Sequence, residues 1–200
     1  GIDDKSLQAL GAWPWDRKVF AELTKKLDAK QAKSIVYDIL FLEERAGDKE
    51  FSDVLKNVKS NVVLASKTDD GKYLPSFFIN ATNTRVVSGF SNVNPDVDGK
   101  VRVYPLFKNE VSECVHGLGV EAYLFATFKR GKTCLDTQGT YFRYPHTVQM
   151  YSVIDVLENK VQDESIRNKT VFIGSDSLDL EDHFVGMSGE KIPNVQVHAS

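Results

Sequence analysis

Short apolar runs alternate with amphipathic stretches at both ends of the chain, and the alternation lapses in the middle. Val19, Phe20, Leu23 and Leu27 recur at helical spacing and predict an amphipathic helix over 16–27. Pro14 stands near its start and Asp16 in its first turn, where a carboxylate meets the positive end of the helix dipole. Ser34-Ile35-Val36-Tyr37-Asp38-Ile39-Leu40-Phe41 is rich in β-branched and aromatic residues and too short for an ordinary helix, so it predicts a strand covered on both faces. Residues 51–58 predict a helix and 61–66 a second buried strand. After the middle region the pattern resumes: a helix over 152–158, a buried strand over 169–174, a polar loop over 179–189 and a short strand over 195–197. Helix and strand in alternation predict an α/β fold: a central, mostly parallel sheet with crossover helices.

The middle reads as an insertion carrying extra strands and a helix. Residues 73–87 hold scattered aromatics broken by Thr and Asn. Residues 91–99 are turn chemistry, and 101–106 alternate as a strand. Residues 111–128 predict a helix weakened by Gly117 and Gly119, and 132–144 suggest one or two short strands. Internal repeats and a linker composition are absent, so one domain over 1–200 is the simplest organisation.

Composition narrows the function classes. The 200 residues carry a net charge of −3, which gives no basic footprint for nucleic acid. No apolar run approaches the length needed to span a bilayer, and no signal peptide is visible. The first residue is Gly1 rather than Met, as expected of a piece of a longer protein. The two cysteines, Cys114 and Cys134, do not form a disulfide scaffold, although one bridge is open to them in an oxidising compartment. If 114–128 is one helix it rises about 21 Å, and a strand from Gly131 to Cys134 walks back only about 10 Å. The two thiols would then stay apart, unless the helix breaks at Gly117 or Gly119.

In open parallel sheets, binding sites form beyond the carboxyl ends of the strands. Three predicted strand ends carry polar groups: Asp3 and Asp4 after Ile2, Asp38 within the Ile35 run, and Ser175 and Asp176 after Gly174. Together they suit a hard cation, a polyhydroxy compound or a cationic ligand, or they serve as helix caps. Asp38 interrupts an apolar strand and, if buried, needs a partner such as Arg17. Trp13 and Trp15 flank Pro14 and are the only tryptophans in the chain. They read as a hydrophobic plug or as the aromatic wall of a ligand pocket. The candidate ligand-binding set is therefore Asp3, Asp4, Trp13, Trp15, Arg17, Asp38, Ser175 and Asp176.

The remaining motifs are weaker. Residues 94–99 lack the acid order of a calcium loop. His116, His146, His183 and His198 show no zinc spacing and read as surface or packing residues. Gly174-Ser175-Asp176-Ser177 lacks the second glycine of a nucleophile elbow. There is no Walker loop and no dinucleotide fingerprint. No catalytic set, metal site or cofactor is predicted.

Taken in order, several motifs resemble the second class of CHASE domains, the extracytoplasmic sensor modules of bacterial receptors. They are Ile2-Asp3-Asp4-Lys5-Ser6-Leu7, Leu10-Gly11-Ala12-Trp13-Pro14-Trp15-Asp16-Arg17, Tyr37-Asp38-Ile39-Leu40-Phe41, Gly89-Phe90-Ser91-Asn92 and Asp96-Val97-Asp98-Gly99-Lys100-Val101-Arg102. Near the end come Lys169-Thr170-Val171-Phe172-Ile173-Gly174, Leu180-Glu181-Asp182-His183-Phe184 and Pro193-Asn194-Val195-Gln196-Val197-His198-Ala199. The resemblance implies a non-catalytic sensory domain outside the cytoplasmic membrane, tethered by segments beyond this sequence. It further implies control of a nucleotide cyclase, histidine kinase, Ser/Thr kinase or cyclic-dinucleotide enzyme. The expected partner is a small-molecule or protein signal, and the receptor is expected to form a homodimer. A protein-interaction domain without a small ligand and a metal-dependent phosphoester hydrolase are the other readings.

Overall fold

The computed structural model describes residues 1–69, 72–79, 84–110, 113–127, 139–141, 148–180, 182–186 and 189–199. Its framework is a five-stranded sheet built from β1 (Ser34–Leu40), β2 (Asn61–Asp69), β3 (Lys72–Leu74), β4 (Val86–Phe90) and β9 (Thr170–Ile173). β4, β2, β1 and β9 run parallel in that spatial order, and β3 pairs antiparallel with the end of β2. The α/β fold with a mostly parallel central sheet is the one the hydropathy pattern predicts.

Both faces of the sheet are covered, which is why its strands lack polar alternation. Ile35, Tyr37 and Ile39 of β1 point to one face, where α2 (Arg17–Ala29) and α3 (Asp48–Asn57) supply Phe20, Leu23, Leu27, Phe51 and Leu55. The aromatic rings there mesh edge to face, with Phe20 against Tyr37 at 6.0 Å and against Phe41 at 5.3 Å. Such pairs add about 0.5–1.5 kcal/mol each beyond their area. Val36, Val63 and Ala65 point to the other face, against Leu118, Ala122 and Phe125 of α4 (Leu118–Ala126). A third cluster, around Val93, Val101, Tyr104, Ile192 and Val197, ties the middle region to the last helix.

Local chemistry sets the element ends. Asp16 caps α2 by accepting from the Lys18 N–H at 2.8 Å. Asp3 caps α1 (Asp4–Leu10) by accepting from the Ser6 N–H at 2.9 Å. α5 (Val153–Leu157) and β9 fall where the sequence places a helix and a strand.

Several expectations are corrected. The helix expected over 111–128 is a strand, β7 (Glu113–His116), followed by α4, because extended Gly117 separates them. That break removes the separation argued for the cysteines, and Cys114 is disulfide-bonded. The one other cysteine of the chain, Cys134, lies outside the described residues. Of the expected strands over 132–144, β8 (Gly139–Tyr141) is described and pairs with β5 (Val103–Pro105), while β6 (Phe107–Glu110) pairs with β7. β4 was hidden by Ser88 and Gly89, which interrupt its apolar run. The loop expected over 179–189 contains β10 (His183–Val185), which pairs with β11 (Lys191–Pro193). The strand expected over 195–197 is a helix, α6 (Asn194–His198), a single turn too short to display a helical period.

Candidate functional site

Asp38 sits at the carboxyl end of the sheet because β1 departs from its ladder there. Tyr37 pairs with Leu64, but the next pair joins Leu40 to Ala65, so Asp38 and Ile39 are extra residues on the β1 side. β9 ends level with Tyr37. Asp38 thus lies just beyond the paired region. Its side chain is turned away from the α2–α3 core, which receives Tyr37 and Ile39.

Two close approaches bring other elements to Asp38. A Cβ on Gly174 would lie 2.7 Å from Val195 Cβ and 3.2 Å from Asp38 Cβ, so only glycine lets α6 pack against the end of β9. A Cβ on Gly119 would lie 2.5 Å from the His198 carbonyl oxygen and 3.0 Å from Tyr104 Oη. These glycines let α6 press His198 into the interior, where its Nε2 lies 3.7 Å from Asp38 Oδ1. The strand pair β10–β11 brings Asp182 opposite Asn194, whose N–H donates to the Asp182 carbonyl at 3.0 Å.

The result is a cavity of about 440 Å³ whose lining includes Trp13, Asp38, Ser91, Ser175, Asp182 and Asn194, with Leu40 at its exposed edge. Its polar groups are incompletely satisfied. Asp38 Oδ2 and Asn194 Oδ1 are buried, and neither has a hydrogen-bond partner among the described residues. Buried polar groups in native proteins are rarely left so, and two facing one cavity mark the site.

Electrostatics follow from burial. Burial pushes the Asp38 carboxyl up to about 7. Burial, then the neighbouring Asp38 charge, pushes Asp182 up to about 6, against the pull of His198, His183 and a hydrogen bond with Asn194. Burial pulls the His198 imidazole down to about 4, although the Asp182 charge and the Ser91 carbonyl favour its charged form. The Tyr104 hydroxyl accepts from the Gly119 N–H at 2.9 Å and lies 2.7 Å from His198 Nδ1. With the phenol proton donated to Nδ1, the neutral ring carries its own proton on Nε2, facing Asp38. A buried imidazole held neutral and bridged to a buried phenol is fixed in place beside Asp38. Ser175 Oγ meets the Ser177 carbonyl at 3.4 Å and touches no base among the described residues.

The residues singled out in the sequence separate into three groups. Trp13, Asp38 and Ser175 line the cavity. Asp3, Asp4 and Asp176 lie at the neighbouring strand and helix ends. Asp3 accepts from Ser6 and Ser152, and these bonds outweigh burial and lower its pKa. Asp4 accepts from Ser177 Oγ, and burial raises Asp176. Trp15 and Arg17 are packed elsewhere. Trp15 is buried with its indole N–H donating to the Gly11 carbonyl at 2.8 Å. Arg17 stacks over Phe41 at 4.6 Å and pairs with Asp48 at 3.3 Å. The Asp38–Arg17 pair expected from the sequence does not form, because Arg17 lies on the core side of the sheet and Asp38 on the other.

Sequence reasoning missed Ser91, Tyr104, Asp182, Asn194 and His198. Ser91, Asp182, Asn194 and His198 stand in the motifs Gly89-Phe90-Ser91-Asn92, Leu180-Glu181-Asp182-His183-Phe184 and Pro193-Asn194-Val195-Gln196-Val197-His198, while Tyr104 stands in the alternating run 101–106. The acids of 94–99 are a turn clamped by Arg102, which reaches Asp98 at 2.6 Å and Asp96 at 2.5 Å, and they lie apart from the cavity lining. Among the described residues no group of three His, Cys, Asp or Glu could hold a metal ion, and no helix is long and apolar enough to cross a membrane.

Fold and cavity define an α/β domain with an open parallel sheet and a polar cleft at its carboxyl edge. A model of the CHASE2 domain matches residues 1–200, and the chain belongs to that family, the extracytoplasmic sensory domains of receptors, which are not themselves catalytic. No curated protein and no solved structure matches the chain.

Proposed function

We propose that this domain senses a small molecule outside the cytoplasmic membrane. The ligand occupies the cavity bounded by Asp38, Asp182, Asn194, Ser91, Ser175 and Trp13. The observation that carries the reading is the pair of buried polar atoms, Asp38 Oδ2 and Asn194 Oδ1, that face that cavity without partners among the described residues. A ligand that supplies their missing partners gains hydrogen bonds which no water-exposed surface could offer. Because Asn194 and His198 belong to α6, occupancy changes the forces on that helix, and a two-state receptor is biased by whatever the ligand contacts in only one state. The receptor is a membrane-tethered homodimer whose cytoplasmic output is a nucleotide cyclase or a protein kinase. A purely structural interaction domain would have a filled, apolar interior at this position, so the polar cavity favours the sensory reading.

The test is to narrow the cavity without disturbing the core. Leu40 is 41% exposed and borders the cavity, so Leu40→Trp is tolerated by the fold and crowds the entrance. The full-length receptor carrying it is expected to lose signal-dependent output while keeping its basal level in the membrane. Output that responds to the signal as in the wild type would exclude this cavity as the sensory site.

A further inference from the structure

We infer that the cavity takes a small organic cation, an ammonium group carried on an apolar body. The inference rests on the sensory reading above and concerns only the chemistry of the ligand. Two carboxyl groups, Asp38 and Asp182, share the cavity, and no Lys or Arg is among its described lining residues. Asp38 Oδ2 and Asn194 Oδ1 are buried acceptors that lack donors, and Asp38 is only 9% exposed. Acceptors therefore predominate, and His198 Nε2 supplies the nearby donor. An ammonium brings three N–H donors and one positive charge. It satisfies the two orphaned acceptors and removes the mutual repulsion of the two carboxylates in one step. An anion would enter against that repulsion, and a neutral polyol would leave the charge unbalanced in a site of low dielectric.

The opposite wall suits the rest of such a molecule. Ile2, Leu40 and Leu180 give it apolar contacts, and the Trp13 ring offers a face that attracts cations. Trp13 is held by Trp15 at 5.5 Å and Phe20 at 6.0 Å, so the wall is fixed before a ligand arrives. The cavity volume of about 440 Å³ falls in the lower part of the range for small-molecule sites, roughly 300–1,000 Å³. No group of three His, Cys, Asp or Glu among the described residues could hold a bare divalent ion.

The purified domain is tested by thermal shift and titration calorimetry. The cationic probes are butylammonium, isopentylammonium and agmatine at 10 mM, set beside butanol, glycerol and butyrate. At least one cation is expected to raise the melting temperature, with its dissociation constant weakened at least tenfold in the Asp38→Asn/Asp182→Asn double variant. Circular dichroism without ligand establishes that the variant is folded. If no cation binds, or if binding is unchanged in the folded double variant, the inference is overturned. If only butanol, glycerol or butyrate binds, and Leu40→Trp abolishes that binding, the ligand class is wrong and the sensory site stands. If nothing binds and Leu40→Trp leaves receptor output unchanged, both readings fall.

Discussion

Replacing Asp38 by Asn should make the domain more stable at pH 8 than the wild type, with the difference shrinking toward acid. The folded carboxyl titrates at about 7, against about 3.9 for an exposed aspartate. Its folded value lies above its unfolded one, so folding takes up a proton. The stability tied to that proton is intact below about pH 4 and is lost as pH rises through about 7. Three units at about 1.36 kcal/mol each give a loss of ~4 kcal/mol by pH 8, of which ~3 kcal/mol falls between pH 5 and pH 8. Asn fills the same space without the charge and escapes this loss. His198 works in the opposite sense: its folded value is lowered to about 4, so its contribution is present above about 6.5 and disappears toward pH 4. His198 is present in both proteins, so the comparison is made between them rather than along the pH axis of either. Asp182 also remains, and its repulsion with ionised Asp38 adds to the wild-type loss in the same direction. For a chain of this length ~3 kcal/mol corresponds to about 6–12 °C in melting temperature. Urea denaturation of both proteins at pH 5, 6, 7 and 8 measures the gap directly. Parallel stability profiles would refute the reasoning, because they would mean that Asp38 is solvated or ion-paired and not a buried acid without a partner.

Two further perturbations examine how the site is built. Gly174→Ala places a methyl group 2.7 Å from Val195 Cβ and should destabilise by ~1–3 kcal/mol, with amide shifts spreading through α6; a neutral result in urea denaturation would mean that α6 is not pressed against β9. Tyr104→Phe removes the acceptor of the Gly119 N–H and the partner of His198 Nδ1, at ~1–3 kcal/mol, and ¹⁵N spectra should show the imidazole leaving its single Nε2–H tautomer; an unchanged tautomer would show that Tyr104 does not set it.

The sheet was legible because burial on both faces leaves a continuous apolar run. β1, β2 and β9 have that composition, and α2 repeats Phe20, Leu23 and Leu27 at the period of a helix. The short elements were not legible. α6 spans one turn, and β10 takes its place from pairing with β11 rather than from any pattern of its own. The predicted helix over 111–128 failed because α4 is apolar almost all round and gives no periodic boundary, so the chain upstream was drawn into it. At the site, Asp38 was conspicuous as the one charge in an apolar strand. Its partner was assigned to Arg17 by proximity in sequence, whereas the true neighbours, His198 and Asp182, lie far along the chain and meet it only through tertiary packing. Trp13 and Trp15 illustrate the same limit. One borders the cavity and the other is core, and their shared motif does not distinguish them.

Three departures from ordinary folding rules converge at one edge of the sheet. An acid stands in the apolar strand β1, that strand breaks register where the acid stands, and buried polar atoms around it lack partners. Each is unfavourable alone, and the acid by itself lowers stability by ~4 kcal/mol at pH 8 on the arithmetic above. A strand of this composition would pair more regularly and pack better with a valine at position 38. Sequences usually satisfy local and global preferences together, and departures from that agreement concentrate where binding or catalysis requires them. The side chains that meet around Asp38 come from β5, the segment before β10, and α6, elements that also pack together in the cluster of Tyr104, Phe184, Ile192 and Val197. Gly119 and Gly174 give up a side chain so that they can. The core side of the sheet, by contrast, is filled by large rings and aliphatic chains, and its one buried cation, Arg17, is stacked on Phe41 and paired with Asp48. Arg17 thus has compensation that Asp38 lacks, and the stability sacrificed at Asp38 stands at a cavity where a ligand can return it.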